Sequence, residues 1–456
     1  MKITSASDIL NIRKMKTKES GLNRRDFIKA GAGAGLLIGT GTYGSLMASG
    51  ASSQPPVRIG FVGVGSRGTG MLKVALSLDG VEIPVVCDII KDKVERAQRL
   101  VEAAGQPKPK GFTGAEDYRR IAELNNLDAI YTATPWSLHT PVMVAAMKGG
   151  KYGATEMPAC DGHEEAWQLV ETAEQTGMHC MLMENYTYMR NVKMILNMVH
   201  HDMFGELTHC ETGYQHDVRH VTIDGNGKLL WRAHERYLDH TGNRYPTHAI
   251  GPVAQWIDIN RGNRFEYLVS MSSRALGLKH YATKKFGPDS HAANLDYKAG
   301  DVNTTLIHTS RGITVTLYYD SLSPRPVDFI YRIQGTKGIY SGTLNKIHLE
   351  DLSPRPHQWE EIDKYAEQYD HPLWKKFGDI ARHTGHGGSD YLCFRDFVEA
   401  VRKRAEVPID VYDAATWSII TKLTEESVGN RSRPVDFPDF TRGKWKTRKR
   451  LPIEEL

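Results

Sequence analysis

Val57-Arg-Ile-Gly-Phe-Val62, followed at once by Gly63-Val-Gly65-Ser66-Arg67-Gly68, is the stretch whose reading decides the fold. The first six residues are rich in β-branched and aromatic side chains and predict a short strand. Beyond Gly68, Met71, Leu72, Ala75 and Leu76 fall at helical spacing. A lone Gly-x-Gly-x-x-Gly says little, but strand, glycine turn and helix in succession form the setting of a dinucleotide fingerprint. The glycines permit a tight turn and bring a pyrophosphate close to a helix N-terminus, whose free N–H groups and dipole favour an anion.

Outward from that turn the same logic repeats. A second apolar run, 81–86, ends in Cys87-Asp88, which puts Asp88 20 residues beyond Gly68. A carboxylate there binds the adenosine ribose 2′-OH and repels a 2′-phosphate, so NAD is expected rather than NADP. A third run, 127–134, leads into Pro135-Trp136-Ser137-Leu138-His139; 142–147 reads as a helix and 151–156 as another strand. Strands alternating with helices predict an α/β doubly wound parallel sheet, with its ligand across the carboxyl ends of the strands. Arg67, Trp136, His139, Glu156 and Asn185 all fall at those ends.

From Phe204 on the pattern changes. Leu207, His209, Glu211 and Gly213 alternate with Thr208, Cys210, Thr212 and Tyr214. Segments 304–309 and 313–319 flank Ser310-Arg-Gly312, and 329–334 and 339 onward flank Gly335-Thr-Lys-Gly338, which predicts two hairpins. The second half therefore reads as an α+β domain with an open, mostly antiparallel sheet. Phe394, Phe397, Val398 and Val401 place a helix over 391–404, and 414–428 reads as one further helix. Both are expected to pack back on the dinucleotide domain.

Residues 1–53 have a different character. They hold eight basic side chains against three acidic ones, so the net charge of +4 lies in this segment and the rest of the chain is near neutral. No charge excess remains in the body to draw it to nucleic acid. Arg24-Arg25-Asp-Phe-Ile-Lys29 precedes a Gly/Ala-rich, weakly apolar stretch with small residues near Ser49 and Ala51. That order predicts a twin-arginine signal, use of the twin-arginine export machinery, and delivery to the periplasm or beyond. The domain plan is then a signal peptide and linker over 1–53, an NAD-binding domain over 54–190 and a substrate domain over 191–456. The five cysteines form no Cys-x-x-Cys pair and predict buried thiols rather than a disulfide framework. The nineteen histidines form neither His-Glu-x-x-His nor a zinc-spaced quartet, and no metal is expected. The acidic pairs Glu164-Glu165 and Glu360-Glu361 read as solvated faces, leaving no evident carboxylate pair for general acid/base catalysis. An assembly of identical chains is left open by the sequence.

The glycine turn, the Thr134-Pro135…His139 loop and the strand ending in Glu156 resemble the Gfo/Idh/MocA family of sugar oxidoreductases, which pair a Rossmann domain with an open-sheet domain. The dehydrogenases of that family read Glu-Lys-Pro where this chain reads Glu156-Met157-Pro158, and a thioether replaces a catalytic ammonium. Together with Glu184-Asn185, Gly213-Tyr214-Gln-His216-Asp217, Trp231-Arg232, Tyr245-Pro246-Thr247-His248 and His386-Gly-Gly-Ser-Asp390, this departure resembles glycoside hydrolase family 109. That resemblance implies an NAD-dependent α-N-acetylgalactosaminidase-like glycosidase acting on a glycoside or glycan. It implies NAD contacts from Gly63, Gly65, Ser66, Arg67, Gly68, Asp88, Trp136, Ser137, Leu138, His139, Glu156, Met157, Asn185 and Tyr245. It also implies a sugar site of Tyr214, Arg232, Tyr245, Pro246, Thr247 and His248, with His248, Tyr245 and Tyr214 moving protons. The family's substrate tyrosine in Pro-Arg-Pro-Tyr is here Val327, and Tyr318 and Tyr319 are candidates for a substitute phenol that the sequence does not decide between. The implied reaction oxidises the sugar C3 hydroxyl, eliminates across C1–C2, adds water and reduces C3 again, one of the exceptions to two-carboxylate hydrolysis. The competing readings are a periplasmic NAD(P)-dependent sugar oxidoreductase and a non-catalytic sugar sensor on the same fold.

Overall fold

The computed structural model describes residues 55–453, so the export-signal reading over 1–53 lies outside the described residues. Strand β1 (Val57–Val62) is buried on both faces, as a central parallel strand must be. Helix α1 (Ser66–Leu76) leads from the glycine turn to β2 (Val81–Cys87), then come α2 (Lys91–Ala103), β3 (Lys110–Phe112) and α3 (Asp117–Ala122). After β4 (Ala129–Thr132) follow α4 (His139–Lys148), β5 (Tyr152–Thr155), α5 (His163–Thr176) and β6 (Cys180–Leu182). The six strands lie in the order β3-β2-β1-β4-β5-β6, every neighbouring pair parallel. Chain direction across the sheet reverses between β1 and β4, which opens a crevice at their carboxyl ends.

Helix α6 (Arg190–His200) leads to the second sheet. Its strands are β7 (Leu207–Gln215), β8 (Phe265–Ser272), β9 (Val302–Thr309), β10 (Thr314–Asp320), β11 (Asp328–Gly335), β12 (Gly338–Ser341), β13 (Lys346–Leu349), β14 (Glu360–Glu361) and β15 (Val435–Asp436). They run in the order β14-β13-β12-β11-β7-β10-β9-β8-β15. Only β7 and β10 pair in parallel, and both expected hairpins, β9–β10 and β11–β12, are present. Cys210, Thr212 and Tyr214 of β7 are buried on the inner face, where α7 (Thr247–Trp256) packs. One apolar cluster continues from β1 through this sheet, so the two sheets share a core.

Three more helices follow α8 (Gly277–Phe286) and α9 (Pro372–Ala381): α10 (Ser389–Lys403), α11 (Val411–Ser418) and α12 (Ile420–Gly429). Phe394 of α10 stacks on Phe61 of β1 at 6.1 Å and lies 5.7 Å from Tyr131 of β4. The single helix expected over 414–428 is two. Asp410 caps the N–H groups of Tyr412 and Asp413 and starts α11 early. At the junction the Ser418 hydroxyl is taken by the Ala159 N–H, and Lys422 N reaches back only three residues to Ile419 O, which tightens the turn. The acidic pairs also need correction. Glu360 accepts hydrogen bonds from Ser353, Lys364 and Tyr365, and Glu165 accepts from the Asp161 N–H, so each pair has one member in the framework. All five cysteines are buried free thiols. No helix of the described residues is long and apolar enough to cross a membrane.

Candidate active site

A cavity of about 610 Å³ runs from the glycine turn to the inner face of the second sheet. At its first end a Cβ on Gly68 would lie 1.9 Å from the Gly63 carbonyl oxygen, so only glycine closes this turn. Gly65 differs: a Cβ there would meet nothing nearer than the Lys93 ammonium at 3.9 Å, and it would project into the space a diphosphate needs. Helix α1 starts without a side-chain cap or an acidic residue in its first turn, which leaves its N–H groups to an anion. Asp88 accepts from Val64 N at 3.1 Å and Ile90 N at 3.0 Å, and this holds its carboxylate at the β2 end of the cavity. The exposed Ile89 and Ile90 side chains offer an apolar rim beside it. These residues fit a dinucleotide with an unphosphorylated ribose.

Farther in, Arg67 is bound on two sides. Its Nε donates to Glu156 Oε1 at 2.8 Å, an oxygen that also accepts from the Tyr131 hydroxyl at 2.8 Å. Its two terminal nitrogens grip Asp390 at 2.9 and 3.0 Å. Asp390 further receives Asn185 Nδ2 at 2.8 Å and pairs with His386 Nδ1 at 2.8 Å. Burial alone would raise the Asp390 carboxyl, but the His386 bond and the Arg67 charge hold it well below the usual range. Burial pushes Glu156 up against the pull of Arg67. The His386-Gly-Gly-Ser-Asp390 segment thus fastens α10 to the glycine turn, a role that its residue types alone did not reveal. Met157 lines the cavity where a dehydrogenase would carry its lysine.

At the far end stands His248, in the first turn of α7. Its Nδ1 lies 2.7 Å from Glu184 Oε1, and Glu184 has no exposed surface. A carboxylate can only accept, so Nδ1 carries the hydrogen and Nε2 presents its lone pair. Nε2 lies 3.4 Å from the Tyr245 hydroxyl. Tyr186 packs its ring 4.1 Å from the imidazole, and Tyr214 lies 5.5 Å away with its hydroxyl 3.3 Å from His216 Nδ1. Burial pushes the Tyr214 phenol up to about 12 and raises those of Tyr186 and Tyr245 as well. At neutral pH all three are donors. Trp136 stacks on Tyr245 at 5.9 Å, and the Arg236 guanidinium lies 4.3 Å from the Trp136 ring and 4.5 Å from the Tyr245 ring. Arg232 lines the same end, and burial followed by the Arg236 charge lowers its affinity for its proton.

The cavity therefore gathers Gly63, Gly65, Ser66, Arg67, Asp88, Trp136, Leu138, His139, Glu156, Met157, Asn185, Tyr214, Arg232, Tyr245 and His248. Four expected contacts lie off its wall. Gly68 closes the turn from behind, and the Ser137 hydroxyl faces Glu235 at 3.3 Å. The Pro246 carbonyl takes the first N–H groups of α7, and Thr247 is fully buried. His139 reaches the wall but is pinned, one ring nitrogen 2.7 Å from Pro158 O and the other 3.0 Å from Thr134 O. Tyr319 does not replace the missing phenol, because its hydroxyl is taken by Ser321 and Tyr237, while Val327 is half exposed. Among the described residues no His, Cys, Asp and Glu side chains cluster as a metal site. Sequence reasoning missed Tyr186 and Arg236, and it quoted Glu184 only as part of a motif. A carboxylate 64 positions before a histidine gives no local signal that the two will meet.

Comparison with known proteins bears on the family and the fold. The family model "Oxidoreductase family, NAD-binding Rossmann fold" matches residues 57–185, and "Glycosyl hydrolase 109, C-terminal domain" matches residues 188–447. A glycosyl hydrolase family 109 protein of Shewanella pealeana is 41% identical over 455 residues, covering 95% of this chain and 99% of that protein. An alpha-N-acetylgalactosaminidase of Shewanella oneidensis is 39% identical over 456 residues, covering 95% and 99%. Among solved structures, levoglucosan dehydrogenase in complex with NADH is 17% identical with a TM-score of 0.65, covering 84% of this chain and 99% of that one, which speaks for the fold. An NAD-binding oxidoreductase from Klebsiella pneumoniae has a TM-score of 0.66 at 14% identity. The chain, with its NAD-binding Rossmann domain and the second domain that completes the cavity, belongs to glycosyl hydrolase family 109.

Proposed function

We propose that this NAD-dependent glycoside hydrolase cleaves α-N-acetylgalactosaminide-like glycosides by oxidation, elimination, addition and reduction, without net redox change. The observation that carries the reading is the buried Glu184–His248 pair, whose free Nε2 faces Tyr245 inside the cavity that begins at the dinucleotide turn. The main-chain N–H groups of α1 would hold the diphosphate and Asp88 the ribose. Bound NAD supplies reversible hydride exchange at the sugar C3, which acidifies the C2–H while C3 is a ketone. Tyr245, held protonated by burial, donates to the C3 oxygen and stays beside His248. His248 Nε2 takes the C2 proton as the C1–O bond to the aglycone breaks. The buried Glu184 carboxylate stabilises the resulting imidazolium. Water then adds its hydroxyl at C1 and gives its other proton to the departed aglycone oxygen, while the imidazolium, its proton exchanged with solvent, returns one to C2. The C3 hydroxyl proton released to solvent on oxidation is regained at O3 on reduction, so atoms and charge balance. Met157 fits this assignment, because no lysine competes for the proton.

Export by the twin-arginine route to the periplasm belongs to the same proposal and rests on Arg24-Arg25 and the weakly apolar stretch behind them. A folded protein crossing with its cofactor in place would reach a compartment with little free NAD already equipped. The test is hydrolysis of aryl α-N-acetylgalactosaminides by purified protein with no NAD added, run in deuterated water. The expected result is aglycone release and a sugar carrying deuterium at C2. Hydrolysis without deuterium at C2 overturns the elimination mechanism, and absence of hydrolysis together with net sugar oxidation favours an oxidoreductase.

A further inference from the structure

Arg236 is 5% exposed and yet lines the cavity. The other buried arginines each have an acid: Arg219 has Asp217, Arg244 has Asp161, and Arg261 has Asp413. Arg236 has none among the described residues. Its Nε is buried without a hydrogen-bond partner, and the contacts of its guanidinium are the ring faces of Trp136 and Tyr245. Arg232, four residues earlier, also lines the cavity without an acid and rests 4.5 Å over Trp231. The acids of the cavity wall are engaged elsewhere, Asp88 by the main-chain N–H groups of Val64 and Ile90 and Glu156 by Arg67.

The arrangement is held from both sides. Tyr237, fully buried, anchors the segment through Ser321 at 2.8 Å, and Glu235 accepts the Trp136 N–H at 3.1 Å. A buried cation without a counter-ion is costly, and ring faces offset only part of that cost. The buried Arg236, with the half-buried Arg232 beside it at the same end of the cavity, calls for an anion from outside. The diphosphate of a dinucleotide is served by the α1 N-terminus. Arg236 instead adjoins Tyr245, whose hydroxyl faces His248, so its anion lies on the sugar side.

We propose that Arg236 and Arg232 form an anion subsite for an oxyacid group, a carboxylate or a sulfate ester, carried by the glycoside, so that the substrate is an acidic glycan. The proposal rests on the glycosidase reading above, but its binding arm does not. The holoenzyme is assayed with aryl α-glycosides that are neutral, 6-sulfated or oxidised to the C6 carboxylate. In parallel, thermal shift is measured with the corresponding free sugars. Wild-type protein should show kcat/KM at least about 10-fold higher for one anionic series, the scale of one lost charged contact, and a larger thermal shift with that sugar. Which series wins separates carboxylate from sulfate. In Arg236→Met the anionic-to-neutral ratio should collapse toward one with NAD still bound, and Arg236→Lys, which keeps the charge, should retain part of the preference. Equal treatment of neutral and anionic sugars by the wild type overturns the proposal. So does loss of NAD from Arg236→Met, which would assign the arginine to the cofactor. If no glycoside is cleaved, the glycosidase reading fails while the thermal shifts still decide the subsite.

Discussion

Glu184 has no exposed surface, gives one oxygen to His248 Nδ1, and keeps its second oxygen without a partner. A buried carboxylate so placed fixes the tautomer of the imidazole. His248→Ala should therefore lower kcat by about 10²-fold or more, the usual scale of a lost general acid or base, with NAD still bound. Glu184→Gln should lower kcat by about 10-fold or more with NAD still bound. Activity unchanged by that substitution would reduce Glu184 to packing. At this scale the sequence was readable in part. His248 and Tyr245 stand three residues apart in a recognisable block, whereas Glu184 and Arg236 acquire their meaning only from neighbours far along the chain.

The glycine turn between β1 and α1 separates two requirements that the sequence merges into one motif. Gly68 is needed for closure of the turn against the Gly63 carbonyl, and Gly65 leaves room for a ligand. Gly68→Ala should destabilise the ligand-free protein by roughly 1–3 kcal/mol, as overpacking of a tight contact does, and should also weaken NAD retention. Gly65→Ala, at an ordinary φ of −66°, should leave the melting temperature of the ligand-free protein nearly unchanged and still shed NAD. Melting curves and analysis of the nucleotide released on denaturation check both. Equal destabilisation by the two substitutions would refute the division of labour. Helix α10 adds a dependence the motif does not announce, since Asp390 at its start holds Arg67 of the turn in a bidentate pair.

At the scale of the molecule, the positive charge lies in residues 1–53 and the remainder is nearly neutral. Replacing Arg24 and Arg25 by Lys should keep the protein in the cytoplasm, measured by fractionation of expressing cells. Delivery to the periplasm unchanged by that replacement would remove the twin-arginine proposal. The rest of the chain shares one apolar core across both sheets. The cofactor end and the sugar end of the cavity are thereby walls of one compact unit.

The sequence by itself determined the parallel sheet, the dinucleotide turn, the two hairpins and the block that carries His248. Each of these is encoded by residues close in the chain, through strand and helix periodicity, glycine in the turns and motif spacing. Local pattern also missed one break: the helix expected over 414–428 is two, with Ser418 at the junction accepting the Ala159 N–H. Only the tertiary structure decided which carboxylate meets His248, which acid holds Arg67, and which arginine is left without a counter-charge. Those are pairings between residues up to 323 positions apart. Spacing along the chain cannot specify them, because burial and charge balance are settled only when the two sheets close over a common core.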